Sequence, residues 1–304
     1  MVTDVYDTAI IGGGPAGLSA ALVLGRSLRR VIVFDSGRYR NERSCALHCF
    51  LGHDGIAPHE LLDLSRAQLR RYDTVECKRE LVTSISRDGE NFVICPDSEL
   101  PLRARTVLVA TGVVDELPPI VGIEAFFGRS VHVCPYCDGW EYRNAPVAVL
   151  GRGAKGVGLA RMLHHWSADL VLCTHGSSGL SQDDRDKLRQ RGIPIHEEKV
   201  ARLEGRDGQL EALVFESGDV VNRKAIFFNT DQHPRSALLE SLGCTYQAHG
   251  VECDEDGATS VPGVYVAGDA SRDVQLIIIA AAEGARAALA INTALLQDDY
   301  AQRL

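Results

Sequence analysis

The chain has 304 residues, a net charge of −9 and a pI of about 5.6. Hydrophobic residues at 45% and charged residues at 24% fit a globular protein long enough for one large or two medium domains. The acidic balance excludes a partner held through its phosphate backbone, so no nucleic acid is expected. No basic segment followed by an apolar run opens the chain, so no secretory leader is expected. Nine cysteines without such a leader point to a reducing compartment, read as the cytoplasm.

The first predicted elements lie in "DTAIIGGGPAGLSAALVLGRSLRRVIVFDSG". A β-branched strand, Ala9-Ile10-Ile11, runs into the turn Gly12-x-Gly14-x-x-Gly17, which opens an amphipathic helix carrying Leu18, Ala21, Leu22 and Leu24. A second strand ends at Asp35, 18 residues after Gly17. Glycines there let the backbone turn tightly and approach a pyrophosphate at the helix N-terminus, and the acid accepts from a ribose hydroxyl. The pattern predicts a dinucleotide site built from Gly12, Gly14, Gly17 and Asp35. Beyond it, Cys45 and Cys49 are candidates for a second redox pair, against the plainer reading of two idle or buried thiols.

The stretch "SVHVCPYCDGWEYRNAPVAVLGRG" holds Cys134-Pro135-Tyr136-Cys137, then Asp138. Two cysteines supply only half of a structural zinc site, and no metal is expected. The tetrapeptide also occurs in glutaredoxins, although this chain lacks their size and their placement of the motif. As a redox pair, one thiolate attacks and its neighbour resolves the mixed disulfide. Pro135 removes one backbone donor near the Cys134 sulfur. His132 shares strand parity with Cys134 and is a candidate base, or else a packed strand histidine.

From Pro146 the first pattern repeats: a strand, Gly151-x-Gly153-x-x-Gly156, a helix, and a strand ending near Thr174. The repeat predicts a second nucleotide-binding fold. The residues after its second strand, Cys173-Thr174-His175-Gly176-Ser177-Ser178-Gly179, contain neither an acid for a ribose nor a guanidinium for a 2′-phosphate. Arg152 and Lys155 in the turn remain as phosphate candidates. His164-His165-Trp166 is expected at an exposed helix end, and Val200 to Phe228 as a hairpin. Near the C-terminus a strand from Val264 to Ala267 leads to Gly268-Asp269 and a long apolar helix starting near Asp273. Gln275, Glu283 and Arg286 interrupt its apolar run, so it is expected as a core helix and not a membrane span.

The two glycine turns, "VLVATGVVDELP" (Val107 to Pro118), Cys-x-x-Cys-Asp-Gly and the Gly-Asp helix together resemble the low-molecular-weight thioredoxin reductases among the pyridine-nucleotide disulfide oxidoreductases. Cys-Pro-Tyr-Cys-Asp-Gly-Trp-Glu, with no arginine motif in the second fold, is closer to the gliotoxin, holomycin and romidepsin dithiol oxidases, which pass electrons to oxygen. The resemblance implies an α/β protein of two Rossmann-like domains, the second inserted into the first. An FAD domain would comprise 1–115 and 235–304, and an NAD(P)-like domain 116–234. It implies FAD as cofactor, with Gly268 and Asp269 at the ribityl chain and Gln275 near the flavin edge. Cys137 would lie against the flavin, Cys134 would exchange with substrate, and Asp138 would move the proton. NADPH use is left open by the missing arginines. The implied substrate is a small-molecule or peptide dithiol, with O2 as acceptor; the alternative is an NADPH-fed reductase. Relatives imply a homodimer.

Overall fold

The structure is a computed structural model and describes residues 5–247, 250–271 and 274–301. The chain divides into two compact units. One comprises Met1–Glu42, Cys49–Val114 and His233–Leu304, the other Arg43–His48 and Asp115–Gln232. The segment Arg43–His48, read from sequence as part of the first domain, thus packs with the second. The Arg43 guanidinium donates to the Glu124 carbonyl at 2.7 Å, and His48 Nε2 lies 3.4 Å from Glu141 Oε1.

In the first unit, β1 (Val5–Ile11), α1 (Pro15–Arg26), β2 (Val31–Phe34), α2 (Pro58–Leu69) and β3 (Val75–Lys78) are followed by β4 (Val82–Asp88), β5 (Asn91–Pro96) and β6 (Leu102–Val109). The strands are ordered β3-β2-β1-β6-β5-β4. The pairs β3-β2, β2-β1 and β1-β6 are parallel, while β6-β5 and β5-β4 are antiparallel. The far edge of β6 is divided: Leu102 to Ala104 face β5, and Val107 to Val109 face the parallel strand Val264–Val266. Strand β2 is buried throughout and β1 from Thr8 to Ile11, as a parallel sheet covered on both faces requires.

One face packs on α1 and the C-terminal helix Ile277–Ala301 through Leu18, Ala21, Leu24, Ala287, Ala288 and Ile291. The two helices approach closely at Gly284, where a Cβ would stand 1.9 Å from the Ala16 carbonyl oxygen. That helix is long and apolar enough to cross a membrane by composition alone, yet Ala280, Gly284, Ala287, Ala288, Ile291 and Leu295 are buried inside this unit. Its expected start near Asp273 lies outside the described residues. Arg29, 9% exposed, ties the helix end to β1: it donates to Asn292 and Asp299 at 2.7 Å each, and Asp7 lies 3.8 Å away. Arg105 completes the network with Asp7 and Asp299.

The second unit carries a five-stranded, all-parallel sheet in the order Ile195–His196, Leu170–Cys173, Val147–Leu150, Ala225–Phe228, Val131–His132. The stretch expected as one hairpin is a three-stranded meander, Val200–Arg206, Gln209–Phe215 and Val220–Asn222. Ala225–Phe228 leaves it to become an interior strand of the parallel sheet. All four of its residues are buried, which fits a sheet interior and not a half-exposed hairpin. The helix Gly153–Leu163 follows the second glycine turn.

Candidate redox and flavin sites

In the first unit β1, β2 and β6 end level, with Ile11 beside both Phe34 and Val109. The Gly12 amide donates to the Phe34 carbonyl at 2.8 Å, and the chain turns there with φ of 124°. A side chain at Gly12 would meet the Ala110 carbonyl oxygen at 2.1 Å, and one at Gly17 the Gly12 carbonyl oxygen at 1.9 Å. Gly14 differs: a Cβ there would meet nothing within 4 Å, although Gly14 caps α1 with no side-chain partner for the helix amides. Tight backbone packing at Gly12 and Gly17, with open space before a bare helix N-terminus, is the shape that receives a pyrophosphate.

Asp35, 8% exposed, is held by three donors: the Gly37 amide at 2.8 Å on Oδ1, and the Tyr39 hydroxyl at 2.5 Å and Arg66 Nη2 at 2.9 Å on Oδ2. Burial, then the bond to Asp35, pushes the Tyr39 hydroxyl up to about 12. At the other end of the cradle, Gly268 adopts a φ of 77° and gives its amide to Glu283 Oε2 at 3.0 Å. Arg40 Nη1 donates to Asp269 Oδ2 at 2.9 Å and to Gln275 Oε1 at 2.6 Å, so the two residues expected at the flavin meet on one guanidinium. These residues fit FAD: Gly14 would leave room for a diphosphate, Asp35 would accept from a ribose, and Asp269 and Gln275 would offer polar groups to the flavin end.

In the second unit, Cys134 and Cys137 form a disulfide. Cys134 is the N-cap of the short helix Pro135–Asp138, and its sulfur accepts from the Cys137 amide at 3.1 Å. Proline removes one donor at position 135, and the helical turn supplies another from position 137. An N–H aimed at this sulfur favours its thiolate when the bond opens. Asp138 closes the same turn, and its Oδ1 stands 3.3 Å from His132 Nδ1.

His132 is 5% exposed, and its ring packs against Tyr142 and Phe227 at 5.4 and 5.3 Å. The Tyr142 hydroxyl donates to the Arg129 carbonyl at 2.8 Å, so His132 Nε2, 3.4 Å from that hydroxyl, stands on its acceptor side. Nδ1 is the ring nitrogen that faces Asp138. Sequence parity indicated a link between His132 and Cys134; the structure instead joins the histidine to the acid after the pair. Burial, then the charges of Asp138, Glu141 and Cys45, hold the Tyr142 hydroxyl up at about 12, so it stays protonated.

Two aromatic residues near Cys137, Tyr136 just before it and Trp140 three positions after it, are open to solvent. Tyr136 is 62% exposed and Trp140 64% exposed. Trp166, at the helix end noted in the sequence, meets the Tyr136 ring edge-on at 5.9 Å. Cys45 and Cys49 are both exposed, not buried, and belong to different units. Among the described residues, no three His, Cys, Asp or Glu are grouped to hold a metal.

The second glycine turn borders a cleft of about 340 Å³ lined by Leu150, Gly151, Lys155, Asn229 and Thr230, among others. Arg152, offered by the sequence as a phosphate ligand, points to its own chain. Its Nε donates to the Thr174 carbonyl at 2.7 Å, and its Nη2 to the His175 carbonyl. The Gly153 amide donates to the Ser178 carbonyl at 2.8 Å. Lys155 is exposed and pairs with Asp231 at 3.7 Å. Glu197, drawn down to about 2 chiefly by its bond with Arg185, also accepts from the Ser178 amide at 3.2 Å and adds a negative charge to the loop. Both cationic side chains of the turn are thus engaged within the unit.

The sequence profile of the pyridine nucleotide-disulphide oxidoreductases matches residues 6–284. The thioredoxin reductase tcpT of Claviceps purpurea is 31% identical over 99% of this chain and 98% of its own. A probable thioredoxin reductase of Arthroderma benhamiae is 30% identical over 96% of this chain and 81% of its own. Among solved structures, HlmI superposes with a TM-score of 0.94 at 38% identity, covering 98% of this chain and 95% of that one. The Bacillus anthracis thioredoxin reductase TrxB gives 0.92 at 33% identity, covering 97% and 99%. With the profile covering most of its length and two relatives at 30% identity or more, this chain belongs to the FAD-binding pyridine nucleotide-disulphide oxidoreductase family, in its thioredoxin reductase-like part.

Proposed function

We propose that the protein oxidises a small-molecule or peptide dithiol to a disulfide, using Cys134 and Cys137, FAD and O2. A substrate thiolate attacks Cys134 Sγ, the Cys134–Cys137 bond breaks, and the Cys137 thiolate leaves. The second substrate thiol then attacks its own bridged sulfur and releases Cys134. The substrate has lost two electrons and two protons, and the protein pair has become a dithiol. FAD, when bound, supplies the two-electron acceptor that restores the disulfide and hands the electrons to O2, forming H2O2. Cys134 is assigned the exchange with substrate because its sulfur accepts the Cys137 amide. Asp138, steadied by buried His132, is assigned the proton transfers.

The observation that carries oxidation over NADPH-driven reduction is the self-directed glycine turn of the second unit. Arg152 and the Gly153 amide bond the loop carbonyls of Thr174, His175 and Ser178, where a reductase needs cationic and amide donors for NADPH. The test is anaerobic. NADPH is expected to leave the flavin band of the purified protein intact, whereas dithiothreitol bleaches it and air restores it with one H2O2 per turnover. Rapid bleaching by NADPH would establish the reductase reading instead.

A further inference from the structure

Three neighbours meet the buried His132 ring, and each offers it a different kind of contact. The strand Val131–His132 runs in register with Ala225–Phe228, whose Phe227 ring covers the imidazole at 5.3 Å. The redox turn brings the Asp138 carboxyl to 3.3 Å from Nδ1. The third neighbour is Tyr142, held by two tight bends. Its amide donates to the Gly139 carbonyl at 3.3 Å, and its carbonyl accepts from the Ala145 amide at 3.0 Å.

A phenol has one hydrogen to give, and that of Tyr142 goes to the Arg129 carbonyl at 2.8 Å. Its oxygen therefore has only lone pairs for His132 Nε2, 3.4 Å away, and the favourable form of Nε2 there is N–H. Burial, then the charges of Asp138, Glu141 and Cys45, keep the phenol protonated. In a neutral imidazole one nitrogen carries the hydrogen and the other accepts. With hydrogen on Nε2, Nδ1 is the acceptor, and it faces a carboxyl that is itself an acceptor when ionised. Two acceptors at that separation attract only with a proton between them. Of the other charged groups around the cluster, Glu141 faces His48 at 3.4 Å, and the Arg129 guanidinium donates to the Asp207 carbonyl.

We infer that Tyr142 is a positioning residue: it keeps the His132 hydrogen on Nε2 and so presents the Nδ1 lone pair to Asp138, and the His132–Asp138 pair takes up one proton during thiol exchange. That proton leaves a substrate thiol as its thiolate forms, goes to Asp138 Oδ1 and is held between Oδ1 and Nδ1. Nε2 and the Tyr142 hydroxyl keep their own hydrogens, and the charge of the pair changes from −1 to zero. The proton affinity then belongs to the pair and not to either residue. The inference rests on the dithiol-oxidase reading and adds the residue that sets this affinity.

Two measurements on the FAD-loaded protein test it. In the first, ring-nitrogen chemical shifts are read by NMR with isotopically labelled histidine, above about pH 8, where an unperturbed imidazole is neutral. The His132 signals are those lost in His132→Gln. Hydrogen is expected on Nε2 in the native protein and mostly on Nδ1 in Tyr142→Phe, where the phenol oxygen is gone and Asp138 is the remaining acceptor. A bare Nε2 in the native protein overturns the inference, and so does a hydrogen that stays on Nε2 in the variant. In the second, dithiothreitol reduces the flavin in stopped flow across pH, with FAD content as the control for folding. Tyr142→Phe is expected to react about tenfold more slowly, the worth of one hydrogen bond. The pKa that governs its rate is expected to fall, because an Nδ1–H then stabilises the Asp138 carboxylate. Loss of packing alone would slow the reaction without moving the profile, and an unmoved profile overturns the inference. The expected hydrogens with no bleaching by dithiothreitol uphold their assignment and overturn the oxidase reading, so the two failures are distinguishable.

Discussion

His132 Nδ1 lies 3.3 Å from Asp138 Oδ1, although the two residues stand on opposite sides of the cysteine pair in sequence. The histidine is on a buried parallel strand and the aspartate on the turn that the disulfide closes. Their contact holds the carboxylate in one place beside Cys137, its immediate neighbour in the chain.

If Asp138 moves the proton, Asp138→Asn keeps the shape and the partner but removes the acid. Dithiol-driven flavin reduction is expected to slow about 100-fold, the lower range for a positioned acid or base. Stopped-flow absorbance checks this, with FAD content as the control. His132→Gln is expected to slow it less, because the carboxylate remains and only its orientation loosens.

The two cysteines are expected to fail differently. Cys134→Ser and Cys137→Ser should each lower turnover by at least about 1000-fold. With Cys137→Ser, however, Cys134 can still attack a linear disulfide, whose other half departs as a thiol, and no neighbouring cysteine is left to resolve the mixed disulfide. Intact mass spectrometry should then find one more bound half-disulfide than in Cys134→Ser.

Gly14 and Gly17 separate ligand binding from folding. An added Cβ meets nothing at Gly14 but meets the Gly12 carbonyl oxygen at 1.9 Å from Gly17. Gly14→Ala is expected to lose most bound FAD with the apoprotein unfolding midpoint unchanged. Gly17→Ala is expected to cost about 3 kcal/mol of stability, the upper range for overpacking. The flavin-to-protein absorbance ratio and denaturant titration of the apoproteins check the pair.

Stability at acid pH should depend on Arg29. Its bond to Asp299 is the largest cause holding that carboxyl below its ordinary range. The folded pKa is depressed, so this contribution is fully present above the unfolded carboxyl value, near ~4, and is lost as pH falls through the lower folded value. Arg29→Ala is expected to cost about 3 kcal/mol at neutral pH, toward the lower end for a buried pair because Asp299 keeps partial solvent contact. The gap from wild type should narrow as Asp299 protonates, which urea titrations across the acid range would follow.

The sequence by itself determined the glycine turns, the acid that ends the second strand, the repeat of the nucleotide fold and the cysteine pair followed by Asp138. Each is a short-range pattern, since a tight turn, a helix start or an exchanging disulfide needs particular residue types within a few positions of one another. Only the tertiary structure decided the rest. Ala225–Phe228 reads as one arm of a hairpin until burial on both faces makes it an interior strand. Arg43–His48 follows the first fold in sequence and packs with the second. Arg152 has the position of a phosphate ligand, but its guanidinium satisfies carbonyls 22 and 23 residues away. His132 meets Asp138, and Trp166 meets Tyr136, across segments that no local spacing connects. A side chain's direction is set by whichever buried partner satisfies it, and that partner is chosen by the fold and not by its neighbours in the chain.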